Sequence, residues 1–298
     1  MIAAGKHAAP ASTPGDRGSI AWFLVLSVLI SGIFWVLMIE AGHPGAGGGH
    51  YVVGLMWAPA VAAFFALRLR RGDTRSLGLS SSGGKSMLLA YGLPLFYASV
   101  AYGPVWAPGL GFFPDPAAMT RLSARLGWRP LGAAGFVPLY FVPIATTGII
   151  PAIAHALGEE IGWRGFLAPA LVGRMGFTAG AIVTGIIWTA WHVPILLFAD
   201  YHGATPWRFG LPCFAVMAVA LSVILTWIRL RSGSVWPCAI LHASHNLFIQ
   251  AFFTPLTGSM GRITPYMIDE LGVAVPMAVL VLAVLIWNQQ RRVAGPVG

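Results

Sequence analysis

Apolar residues fall along this chain in long blocks separated by short polar segments. Eight blocks emerge, at residues 19–39, 51–68, 86–106, 147–171, 178–198, 210–229, 234–253 and 271–288. Each is long enough, at about 1.5 Å per helical residue, to cross most or all of a hydrocarbon layer of about 30 Å. Residues 131–146 are also apolar, so the run 131–172 is too long for one span. Pro138, Pro143 and Pro151 offer places to break it. Residues 117–128, with Arg121 and Arg125 four apart, read as an amphipathic helix at the interface. The predicted fold is all-α: a polytopic membrane protein, a bundle of about eight transmembrane helices with an intramembrane polar site.

Composition agrees. The chain is 57% hydrophobic and 9% charged, with a mean hydropathy of +0.76. Soluble domains carry roughly 25% charged residues, so this chain cannot cover a water-facing surface of ordinary polarity. Residues 1–18 are polar and rich in Ala, Pro and Gly, and the apolar run that follows is longer than a signal-peptide core; it reads as a retained first helix. Residues 44–49 read as a flexible loop. Cys213 and Cys238 lie in apolar segments and read as small buried hydrophobes, not as a disulfide or a zinc site.

The formal charge of +9 would fit nucleic acid, but the basic residues lie between spans and act as topology signals. A cytoplasmic N-terminus puts thirteen of the 18 basic residues on one side and five on the other. Leaving out Arg164, which reads as buried, leaves twelve against five. Both termini are therefore expected in the cytoplasm and the protein in the cell membrane, with no nucleic-acid partner.

Only nine carboxylates occur in the chain, and two of them, Glu159 and Glu160, stand side by side inside an apolar run. Ionisable groups in lipid are costly and mark functional sites. On a helix, Glu160 and Arg164 are four apart and can pair, while Glu159 points about 100° away and stays chemically available. A second polar group is His192, in Trp188-Thr-Ala-Trp-His192, and a third is His242-Ala-Ser-His-Asn246. His242 and Asn246 share a helix face; His245 points elsewhere and reads as a packing or loop-contact residue. His155, four before Glu159, reads as no closer than a supporting neighbour.

Counting from the span ends, Glu159, His192 and His242 lie roughly 12–21 Å deep, so three helices can present them together. A carboxylate and an imidazole can orient and deprotonate a water. A second His with an Asn amide can donate to a developing oxyanion. Alternatively, Glu159, His192 and His242 make a zinc triad with an open position. No metal is assigned; a divalent ion such as zinc stays the alternative.

The order Glu-Glu-x-x-x-Arg, aromatic-x-x-x-His, His-x-x-x-Asn resembles the CPBP family of intramembrane proteases, which includes type II CAAX prenyl endopeptidases and bacteriocin-processing or immunity (Abi) proteins. Trp163-Arg-Gly-Phe-Leu167 and Ser234-Val-Trp-Pro237 fit the same context. The resemblance covers residues 155–252. It implies a bundle of about eight spans with a site opening toward the cytoplasm. It also implies Glu159 as the activator of water, His192 as its holder, His242 and Asn246 as oxyanion donors, and Glu160 and Arg164 as support. Trp188 stands where the family more often has Phe. The chain then divides into a tail (1–18), N-terminal spans with the interfacial segment (19–130), a catalytic core (131–253), and a last span with its tail (254–298).

The leading reading is an intramembrane endopeptidase acting on a membrane-associated peptide or lipid-anchored protein. A non-catalytic immunity or peptide-binding protein of the same family is the alternative. An ion or proton transporter ranks last, since no internal repeat with paired broken helices is present.

Overall fold

The computed structural model describes residues 16–43, 45, 49–199, 201 and 204–294. The N-terminal tail up to residue 15 and most of the 44–49 loop lie outside them. Asp16 caps the first helix by accepting from the Ser19 N–H, and α1 runs Arg17–Glu40. Helix α2 (His50–Leu69), a 3-10 turn (Thr74–Leu77) and α3 (Gly84–Trp106) follow. Helix α4 (Pro116–Leu126) is amphipathic as expected, capped by the Asp115 carboxylate. Then come α5 (Ala133–Pro143), α6 (Ile149–Glu160), α7 (Ala168–Phe198), α8 (Trp207–Ser232), α9 (Trp236–Phe248), α10 (Thr264–Met267) and α11 (Ala274–Ala294). Two short strands, β1 (Gly111–Phe112) and β2 (Gly258–Ser259), pair antiparallel.

The protein is an all-helical membrane protein. Among the described residues, six helical segments are long and apolar enough to cross a membrane. One of them, Ala133–Phe198, is 66 residues long and holds two of the expected spans. The expected break at Pro138, Pro143 or Pro151 does not occur. A π turn at Ile144–Gly148 follows Pro143 directly, and the helix runs on past all three prolines. The helix breaks at Gly176, in the gap expected between the spans 147–171 and 178–198, with φ 77° and ψ 171°, a conformation that only glycine takes without strain. The helix that carries the fourth expected span thus starts at Ala133 rather than at 147. Helix α9 continues through a π turn at Ile249–Phe253, and so matches the seventh expected span.

The outer faces carry apolar side chains where a soluble protein would place charges. Leu29, Leu88, Ile150, Phe198 and Leu285 are all more than 60% exposed, a surface that lipid solvates and water does not. Inside, α9 packs between α3 and α6, α6 also rests on α2, and α7 on α8. These contacts place the polar residues of α6, α7 and α9 around one centre.

Candidate active site

The Glu pair is positioned by two glycines. A Cβ at Gly158 would stand 2.6 Å from the Met56 carbonyl oxygen, and one at Gly162 2.4 Å from Pro59 Cβ. The α6 backbone therefore lies directly on α2, as small residues four apart allow in membrane helices. Helix α6 ends at Glu160 and passes into a second π turn, Ile161–Leu167, a distortion common at functional sites.

Glu160 is fully buried. Its Oε1 accepts from Arg164 Nη1 at 2.8 Å and from His242 Nδ1 at 2.9 Å. The Arg164 guanidinium also lies 4.3 Å from the centroid of the Trp188 ring. Glu160 thus joins α6 to α9 as well as pairing within its own segment. An ionised carboxylate only accepts, so His242 carries a proton on Nδ1 and turns Nε2 away from Glu160.

Glu159 is 2% exposed. Its Oε2 accepts from the Trp188 indole N–H at 2.7 Å and more weakly from that of Trp163 at 3.4 Å. Trp163 is wedged edge-on against Phe23 and Trp191, and Trp191 donates to Ser31 Oγ of α1 at 2.7 Å. His192 donates from Nδ1 to the Trp188 carbonyl at 2.9 Å. That bond fixes the tautomer and leaves Nε2 as the acceptor.

A cavity of about 140 Å³ is lined by Glu159, His192, His242 and Asn246 together. Glu160 and Arg164 stand behind this wall rather than in it.

Three polar residues at this cavity, Tyr201, Gln250 and Glu270, went unread in the sequence. His245 also lines it, although helical spacing had turned it elsewhere. Its Nε2 donates to Glu270 Oε1 at 3.0 Å, and its Nδ1 accepts from the Tyr97 hydroxyl at 2.6 Å. Gln250 donates to the same Glu270 oxygen at 2.8 Å and to the Tyr201 hydroxyl at 3.1 Å. Glu270 sits in the loop before α11, and the only sequence signal was an Asp-Glu pair at the foot of an apolar span. Burial would raise the Glu270 carboxyl, but the His245 and Gln250 hydrogen bonds outweigh it and hold it low. Burial and the neighbouring Glu270 charge push Asp269 up to about 7.

The zinc alternative can be tested against this geometry. Among the described residues, no three His, Cys, Asp or Glu side chains converge as a metal-binding group. Glu159 Oε2 is engaged by two indoles and His242 Nδ1 by Glu160. The bonds leave Glu159 Oε1 and the Nε2 atoms of His192 and His242 unengaged, and these are the atoms that would hold a metal if one bound; no step below passes through a metal.

Residues 140–248 match the family model described as "Type II CAAX prenyl endopeptidase Rce1-like". The segment that builds the site is CAAX-protease-like. A "CAAX prenyl protease 2" from Methanococcus maripaludis is 28% identical over 118 residues, or 38% of this chain. The match spans only 40% of that relative's length. The family resemblance read from the three motifs is thereby borne out. Within this CAAX-protease-like core, Trp188 is more than an aromatic wall: its N–H holds Glu159, which a Phe at that position could not do.

Proposed function

We propose that the protein is an intramembrane endopeptidase that hydrolyses a peptide bond of a membrane-associated peptide or lipid-anchored protein. The observation that carries this is the shared cavity: Glu159, His192, His242 and Asn246 come from three helices and line one small space. Glu159 Oε2 is occupied by the Trp188 indole, so Oε1 is the free basic oxygen. It takes a proton from a water whose other O–H donates to His192 Nε2. The water oxygen attacks the peptide carbonyl carbon, and the carbonyl π electrons move onto oxygen. Asn246 N–H and the protonated form of His242, through Nε2–H, donate to that oxyanion. When the intermediate collapses, the C–N bond breaks and the amine leaves with the proton held by Glu159. Water and amide become acid and amine, and Glu159 is restored.

Glu160 and Arg164 act through His242 by fixing its ring. The named activity of the Rce1-like relatives supports this class of reaction, and the apolar lining by Met38, Val52 and Phe214 fits a lipid-bearing segment beside the scissile bond. The test is cleavage of membrane-anchored peptide libraries by purified protein in detergent, compared with Glu159→Gln. Equal cleavage by both would sink the proposal.

A further inference from the structure

The cavity reaches Glu159 from one face of the membrane only. Each helix lines it with residues from the same end. Helix α1 contributes only Met38, near its C-terminus; α2 contributes Val52, Leu55 and Met56, near its start, and nothing beyond. Helix α8 contributes Phe214, Met217 and Leu221, which reach from its first half to just past its middle, and nothing beyond. Tyr201, Gln250 and Glu270 complete the lining from the loops and helix end at that same face. Gln250 is exposed there, and Tyr201 half-buried.

The opposite face is closed. The segment after α2 lies across the ends of α8 and α9 and is held by its backbone carbonyls. Arg229 donates to the Ser76 carbonyl at 2.9 Å and the Val235 N–H to that of Gly78 at 2.9 Å. The Trp236 indole donates to the Leu79 carbonyl at 2.8 Å, and Ser234 Oγ to that of Ser80 at 2.6 Å. Leu77 is fully buried, and its carbonyl would stand 3.1 Å from a Cβ placed on Gly165. This closed face carries Arg68, Arg70, Arg71, Arg75, Lys85 and Arg174. Basic residues concentrated in short loops mark the cytoplasmic side.

Putting these together, we infer that the cavity opens on the non-cytoplasmic face, between Tyr201, Gln250 and Glu270, and that the 74–80 segment seals it from the cytoplasm. The inference rests on the protease reading only for what enters: a polypeptide strand displayed on, or exported to, the non-cytoplasmic face. It runs against the cytoplasmic opening that the family resemblance implies.

Cysteine accessibility in the full-length protein tests it. In a Cys213→Ala, Cys238→Ala background in a bacterial inner membrane, Tyr201→Cys and Gln250→Cys are compared with Ser81→Cys on the closed face. Arg262→Cys, in the loop between β2 and α10, serves as a surface marker that leaves the cavity untouched. A membrane-impermeant maleimide should label positions 201, 250 and 262 on spheroplasts and position 81 only on inverted vesicles. Labelling of 201 and 250 only on inverted vesicles, or from neither side while 262 reacts, overturns the inference. Labelling reports the side of entry whether or not the protein cleaves anything. A labelled entrance with no hydrolysis would therefore defeat the protease reading and leave the access route standing.

Discussion

The Trp188 indole N–H lies 2.7 Å from Glu159 Oε2, while its ring sits 4.3 Å from the Arg164 guanidinium. One side chain therefore touches both the proposed base and the cation that holds Glu160. Trp188→Phe keeps a ring for Arg164 but removes the donor to Glu159. A hydrogen bond to a charged group contributes about 1.5–3 kcal/mol, so kcat should fall by about ten-fold or more while the melting temperature changes little. Trp188→Ala should lose stability as well. Unchanged turnover in the Phe variant would show that the indole does not position Glu159.

The two carboxylates should separate by readout. Glu159→Gln keeps the shape and removes the base, so hydrolysis should fall by about 10²-fold or more with the fold retained. Arg164→Ala strips the buried Glu160 carboxylate of its cation. Breaking a buried pair costs about 3–5 kcal/mol, so expression yield and thermal stability should drop first. The measurements are peptide cleavage and a melt in the same detergent. A stable Arg164→Ala protein, or an active Glu159→Gln protein, would invert the assignment.

How much of this was legible in advance depends on what each residue answers to. The spans were readable because lipid imposes one rule on every position, and the Glu160–Arg164 pair because four residues along a helix fix a neighbour. The break at Gly176 falls in the gap expected between the spans 147–171 and 178–198, whereas the unbroken helix through Pro138, Pro143 and Pro151 was not legible, because a proline's local cost does not reveal how neighbouring turns accommodate it. The link from His242 to Glu160 joins residues 82 apart, and that from His245 to Glu270 leaves the helix altogether. Spacing within one segment carries no information about either. The role of Gly158 and Gly162 likewise appears only once α2 lies against them.

His242 and Asn246 should behave as one unit toward the oxyanion. Each alanine variant should lower kcat by about 10²–10³ with little change in KM, and the double variant should be little worse than either. The same assay addresses the metal alternative. The cavity already holds a base, a water-holding imidazole and two oxyanion donors, so prolonged chelation should leave cleavage unchanged. Activity lost to chelator and restored by zinc, with metal content dropping in His242→Ala, would overturn this account.

His245 is now expected to matter for stability. It is 1% exposed and satisfies both Glu270 and the Tyr97 hydroxyl. His245→Ala leaves two buried polar groups short of a partner, at about 1–3 kcal/mol for each such group. The melting temperature should fall clearly, and more than in Gln250→Ala, because Gln250 is exposed and water can replace it. A His245→Ala melt indistinguishable from wild type would mean that this cluster contributes nothing to the fold.

Asp269 gives the fold a pH dependence of definite sign. It holds a left-handed backbone, φ 70°, and its Oδ1 accepts from the Glu270 N–H at 2.7 Å. Burial and the Glu270 charge raise its carboxyl from an ordinary 3.8 to about 7. A group raised in the folded state binds its proton more tightly there than in the unfolded chain. Its stabilising contribution is fully present below about 3.8 and is lost as the pH rises through about 7. Asp269→Asn removes the titration, keeps an oxygen for the Glu270 N–H, and suits the left-handed conformation, which Asn adopts readily. The variant should therefore gain stability over wild type at pH 8 and gain much less, or nothing, at pH 4. Paired thermal melts at the two pH values measure the difference. A gain of the same size at both would show that Asp269 titrates alike in the folded and unfolded chain.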